Sequence, residues 1–271
     1  ALAGPPIAAE DQLVLNAFAA QLATVVEHGR LRAENAEAQA LAEANALRSA
    51  LLQAVSHDLR TPLAAIKASA SSLADAQVDW SPDDVVAFAS TIDEQTDRLT
   101  ALVANLLDMS RIQAGVVTPT ARPLGLEEVV PGAVAWLGLP DDAVDIDLPA
   151  TVPPVLADAQ LLERVVANLV DNAARFAPPG RPVRVEAGPV GERVDLRIVD
   201  EGPGIPADAL EQAFRPFQRL GDQAAGSGVG LGLAVAQGFV TAMGGTIEVD
   251  DTPGGGTTFV VSLPAGPVPA G

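Results

Sequence analysis

The sequence predicts an α+β protein in two parts, an antiparallel helical hairpin that a second chain completes as a dimeric four-helix bundle, followed by a separate α/β domain. Three observations carry that prediction. Residues 10 to about 76 contain a single proline, late in the run, and are dominated by Ala, Leu, Glu, Gln and Arg, all strong helix formers. Leu52, Val55, Leu59, Leu63, Ile66, Ala70 and Leu73 then step by threes and fours, the spacing of one buried helix face. Beyond Gly115 the texture changes to interleaved helical and alternating strand-like segments, which need a core of their own.

Within the first long run, Leu15, Phe18, Leu22, Val25 and Val26 make an amphipathic start, and residues 32–48 read as an Ala-rich helical connector. The segment DAQVDWSPDD interrupts the next helix. Its Ser81-Pro82-Asp83-Asp84 supplies a cap, a first-turn proline and acids near the positive end of the helix dipole. The second helix of the hairpin carries Val85, Phe88, Ile92, Leu99, Val103 and Leu106 and is predicted to end near Ala114. A lone hairpin buries one seam, so two copies pairing as a four-helix bundle complete it. Residues 116–158 are rich in proline and read as short β-like runs. AQLLERVVANLVDNAARFA follows as a helix, then strands at PVRVEAGPV and RVDLRIVDEG, a Gly-rich loop, another helix, and strands at GTIEVDD and GTTFVVSLP.

Composition excludes several function classes. The 271 residues carry a net charge of −19 and a pI near 4.2, so the chain repels phosphate backbones and anionic surfaces, and nucleic-acid binding is not expected. Cysteine is absent, which rules out disulfides and thiolate metal sites and fits a cytoplasmic setting. No apolar run reaches the roughly 18 to 20 residues a membrane span needs; the longest, PLGLEEVVPGAVAWLGLP, is broken by Glu127, Glu128 and Pro131. The first residues lack the pattern of a signal peptide. The expectation is a soluble piece without membrane contact of its own.

His57 is one of two histidines. It stands two positions past Val55, about 200° round the helix from the buried stripe, and so is expected to face solvent. Thr61 shares its face, Asp58 adjoins it, and Pro62 should bend the helix there by removing a backbone bond. Alone, this reads first as an ordinary exposed histidine beside an acid. Asn168 and Asn172 share one helix face with Arg175 a turn on, oxygen donors suited to Mg²⁺ beside a phosphate-neutralising cation, or simply exposed polar residues. Asp200 ends a strand before Gly202, Pro203 and Gly204; a carboxylate there can accept an exocyclic amine, though the motif is also good turn chemistry. Gly226, Gly228, Gly230 and Gly232 precede an apolar helix, a spacing that lets backbone N–H groups approach phosphates. Taken together, the three constellations point to a nucleotide with Mg²⁺.

In this order, SHDLRTPL, NLVDNAARF, DEGPGI, FRPFQR and GVGLGLA resemble the H, N, G1, F and G2 boxes of bacterial sensor histidine kinases, over about residues 50–265. The resemblance implies a dimeric hairpin bearing a phospho-accepting histidine and an ATP-binding α/β sandwich of the kind shared with gyrase and Hsp90-type ATPases. It implies His57 as acceptor, Asp58 as its acid/base partner, and Thr61 as the residue that helps position water in dephosphorylating the partner. Asn168 and Asn172 would hold Mg²⁺-ATP, Arg175 the phosphates, and Asp200 the adenine amine. Gly202, Gly204 and Ile205 would shape the base pocket, and Phe176 stands where relatives carry Tyr. Phe214 and Phe217 would pack a lid whose far hinge is Gly228, Gly230, Leu231 and Gly232, with Arg219 reaching a phosphate.

The stretch from LRSALLQAV to ASASSL, with NLLDMSRIQAG and the preceding FAAQLATVVEHGRLRAE, also looks like the potassium-responsive KdpD-type kinases. That likeness implies a GAF-like remnant over 1–30, a connector over 31–50, the dimerisation and phosphotransfer domain over 51–117, and the catalytic domain over 118–271. It further implies a response regulator partner with a receiver domain (KdpE-like), and a full-length protein anchored in the inner or plasma membrane. The activity expected is autophosphorylation of His57 from ATP and transfer to a regulator aspartate in potassium or osmotic response. The alternatives are a protein that is chiefly a phosphatase of the regulator, or an ATP-binding scaffold without transfer.

Overall fold

The computed structural model describes residues 21, 56, 58–75, 77–218 and 230–267. The chain divides into two compact units, Ala1–Ser56 and His57–Gly271, and the second is described here. Apart from residue 21, the GAF-like helix and connector expected over 1–50 lie outside the described residues, as do His57, Arg219 and Gly228.

The hairpin begins with helix α1, residues 58–73, and returns through α2, Pro82–Gln113. The predicted start of α2 is present in full. Ser81 Oγ accepts the N–H of Asp84, whose carboxylate in turn accepts the Ser81 N–H, with Pro82 in the first turn. Trp80 pins the turn by donating its indole N–H to the Ser72 carbonyl at 2.8 Å and meeting Phe88 edge-on. Within one chain the buried positions are Pro62 and Ser69 on α1 and Leu102 on α2. Leu63, Val85 and Val103, expected in the stripe, are exposed in the single chain, together with Val86 and Leu107.

Five strands form the main sheet, in the order β2-β4-β5-β7-β6: Val144–Asp147, Val183–Val190, Arg193–Val199, Thr257–Pro264 and Thr246–Asp251. Strand β2 pairs with β4 in parallel and the other pairs are antiparallel. A small sheet joins β1, Arg122–Leu124, to β3, Val155–Ala157. Register places Val185, Ile198, Phe259 and Val249 in one cross-strand row. That row belongs to the core face, under helices α3 (Leu126–Ala135), α4 (Ala159–Phe176) and α6 (Gly232–Ala242). On α4, Leu162, Val165, Val166, Leu169, Val170 and Ala173 are buried, so its polar residues share the opposite face. Asp158 caps α4 by accepting the N–H of Gln160 and Leu161, and also takes that of Thr120, tying the start of the domain to the helix.

The four strands predicted from alternation are β4, β5, β6 and β7. The region read as β-like runs differs: it contains helix α3, with Pro131 inside it. Glu127 and Glu128 fill its first turn, and Leu126, Val129, Val130 and Ala133 recur at helical spacing and are buried. Their burial outweighs the one backbone bond the proline removes. Among the described residues, no helix is long and apolar enough to cross a membrane.

Candidate functional site

Asp200 is the first residue past β5 and only 2% exposed. Its Oδ1 accepts the N–H of Gly202 at 2.8 Å and of Thr257 at 3.2 Å. Its own N–H donates to the Thr257 carbonyl at 2.9 Å, locking the strand end to β7. Burial pushes the carboxyl above the ordinary aspartate range, opposed by the two N–H groups that favour its ionised form. Both protein donors are spent on Oδ1, so Oδ2 is the acceptor left for a ligand.

Two glycines make this arrangement sterically possible. A Cβ on Gly202 would stand 2.7 Å from the Phe176 carbonyl and 2.8 Å from Asp200 Oδ1. A Cβ on Gly256 would run into the Asp200 carbonyl itself. Gly204 packs close against Gly256, whose carbonyl a Cβ on Gly204 would approach to 3.2 Å, and both line a cavity of about 380 Å³ with Ile205 and Thr252. The C-terminal end of α4, the segment after β5 and the turn before β7 therefore meet around one carboxylate. Gly256 and Thr257 were not among the residues singled out from sequence; the signal was the glycine run in PGGGTTF, read only as a strand start.

The second half of the site lies along α4 and α6. Asn168 and Asn172 are half-buried on the polar face of α4, and Asn168 Oδ1 would lie 3.2 Å from a Cβ on Gly232, the first residue of α6. The N-box asparagine and the G2-box glycine are thus neighbours, as a shared phosphate site requires. Asn168 Oδ1 is a hard oxygen donor beside the first residue of α6, a setting that fits Mg²⁺ completed by water and phosphate oxygens. Arg175 pairs with Asp171 one turn back on α4. Helix α5, Leu210–Ala213, leads to Phe214, which packs on the core. Phe217 adopts a positive φ of 66° and donates its N–H to the Gly230 carbonyl at 2.8 Å, closing the base of the F-to-G2 segment. Leu231 is buried behind it. Asp58, half-buried, and Thr61, exposed, stand on α1 of the hairpin, not in the pocket.

The pocket residues and the hairpin fall within two matched families. The histidine kinase-, DNA gyrase B- and HSP90-like ATPase family matches residues 157–267, and the His Kinase A (phospho-acceptor) domain matches residues 47–115. The chain belongs to the sensor histidine kinases. It is 52% identical over 272 residues to the sensor protein KdpD of Mycobacterium tuberculosis, covering 97% of this chain and 31% of that protein. To KdpD of Escherichia coli it is 38% identical, covering 94% and 28%. The signal transduction histidine-protein kinase/phosphatase MprB of Mycolicibacterium smegmatis is 32% identical, covering 85% of this chain and 48% of that protein. The chain therefore spans about a third of the length of the KdpD proteins it matches. A histidine kinase structure, AdeS of Acinetobacter baumannii, superposes with a TM-score of 0.57 at 24% identity over 77% of this chain and 98% of that one, a likeness of fold.

Proposed function

We propose that this sensor histidine kinase binds ATP with Mg²⁺ between α4 and α6, phosphorylates His57, and passes the phosphoryl group to an aspartate of a response-regulator receiver domain. The observation that carries the reading is the buried Asp200 carboxylate, with Oδ1 saturated by backbone and Oδ2 open, in the same domain as the Asn168–Gly232 contact. One end accepts a base amine; the other suits phosphate.

Neutral imidazole of His57 attacks the γ-phosphorus. The N–P bond forms as the bond to the bridging oxygen breaks, and ADP leaves with that electron pair. Asp58 holds the proton on the other ring nitrogen and stabilises the cationic adduct. Asn168 and Asn172 would hold Mg²⁺, which supplies neutralisation of phosphate charge, while Arg175 reaches the phosphates by leaving Asp171. Gly202, Gly204 and Ile205 border the base, with Phe176 at the end of α4 beside them. Phe214, Phe217 and Arg219 with Gly228, Gly230, Leu231 and Gly232 frame the phosphate side.

The exposed Leu63, Val85, Val103 and Leu107 are the faces a second copy covers, making a homodimer. The KdpD likeness supports a potassium or osmotic response, a KdpE-like regulator, and a longer protein anchored in the membrane. Thr61 and the kinase/phosphatase name of MprB favour a second activity, dephosphorylation of the same regulator. Incubation with γ-labelled ATP and Mg²⁺ tests the reading. Acid-labile, base-stable label should appear on the chain and drain onto an added receiver domain. Label that is stable to acid would contradict a phosphohistidine.

A further inference from the structure

Strand β6 is an edge of the main sheet, and among the described residues no strand pairs with its outer side. Its core-facing residues, Ile247 and Val249, stand opposite Val261 and Phe259 on β7. Those two partners are fully buried, whereas Ile247 and Val249 are only half-buried. Helix α6 ends at Ala242 and α5 is a single turn, so this margin of the core is left uncovered. The gap is a cavity of about 390 Å³ between Ile247, Val249, Gln237 on α6, and the α5 segment, which contributes Leu210 and Phe214. It shares no residue with the cavity at Gly204.

An added strand would complete both the sheet and this slot. Side chains alternate between the two faces of a strand, so every second residue of one laid on β6 would enter the slot beside Ile247 and Val249. The residues between would stand on the outer face, next to Thr246, Glu248 and Asp250, all exposed. Asp250 shares its carboxylate with Arg197 at 3.3 Å, and among the described residues Glu248 has no ion-pair partner. Glu211 and Arg215 at the mouth of the slot carry one charge of each sign and select little. The outer face does select. Its acids, on a chain of net charge −19, favour cations beside them, and they would repel the same acids of a second β6.

We propose that the β6 edge is a docking site for an extended segment of a basic partner protein, one that alternates apolar and cationic residues. Its apolar side chains fill the slot against Ile247, Val249, Leu210 and Phe214, its cations face Glu248 and Asp250, and its backbone takes up the unpaired edge. Backbone pairing attracts any strand, while the slot and the acids choose which one. The site is distinct from the nucleotide pocket, and the inference does not rest on the reading of His57 as acceptor.

The test measures binding of labelled, capped hexapeptides to the whole chain by fluorescence anisotropy. One alternates Lys and Val, one Lys and Gln, and one Glu and Val; amide exchange then locates the bound peptide. The Lys–Val peptide should bind about tenfold tighter than each of the other two and slow exchange in residues 246–251. Glu248→Lys, an exposed change that leaves the slot intact, should reduce the preference for Lys–Val over Glu–Val about fivefold. Equal binding of the Lys–Gln peptide would mean general attraction to an acidic chain and overturns the proposal. So does no binding of the Lys–Val peptide, protection away from β6, or an unchanged preference in Glu248→Lys.

Discussion

Asp200 sits where burial and function pull in opposite directions. Its carboxyl holds a proton to higher pH in the folded chain than in the unfolded one, because desolvation outweighs the two N–H groups on Oδ1. Ionisation at this site therefore opposes folding. The penalty is absent below the unfolded pKa and complete above the folded one. On the proposed reading an adenine amine at Oδ2 would favour the ionised form, so nucleotide affinity should be full above the raised pKa and decline as pH falls through it, starting at higher pH than an ordinary aspartate would. Titration calorimetry between pH 4 and 8 should show that decline in the parent; a flat profile would count against Asp200 as the base acceptor. Asp200→Asn should lose about ten- to a hundredfold in affinity while melting no lower than the parent, since it removes a desolvated charge. Gly256→Ala should instead cost more than about 3 kcal/mol of stability, read by denaturant unfolding, because its Cβ meets the Asp200 backbone. Asp200 and Gly202 were legible in the sequence because a strand end followed by glycines is a local pattern. Thr257 was not, since its part comes from register, the pairing of β5 with β7 across fifty-odd residues.

Local signals fix some elements and miss others. The start of α2 was readable from Ser81-Pro82-Asp83-Asp84, and the capping box is present. Ser81→Ala should cost about 1 kcal/mol and lower the melting temperature by about 2–4 °C; no shift would mean that Trp80 alone holds the turn. Strand β5 and the start of β4 were readable from alternation because they bury alternate side chains, whereas β7, whose segment TTFVVSL also reads as alternating, is buried at nearly every position. Helix α3 was obscured by the prolines around it and by Pro131 within it, although its apolar spacing and acidic first turn were present. Proline is a strong local signal that tertiary burial overrides here. The contact of α2 with α4 and α6 had no signal at all: Asp108 and Arg164 are far apart in sequence and ordinary on their own helices.

For the whole molecule, the two-part architecture was legible from the change of texture at Gly115, but the packing of the parts against each other was not, because it depends on a few side chains at one end of α2. The exposed Leu63, Val103 and Leu107 belong to the same scale. If a second copy covers them, Val103→Glu with Leu107→Glu should leave a helical monomer by sedimentation where the parent is dimeric; an unchanged dimer would place the interface elsewhere. The claim that joins both parts is that nucleotide held by the ATP domain is spent on His57. It is tested most directly by giving γ-labelled ATP and Mg²⁺ to the parent and to His57→Gln, after both are shown to bind nucleotide equally. Acid-labile label should appear on the parent and be absent from His57→Gln. Equal label on both chains would contradict the claim.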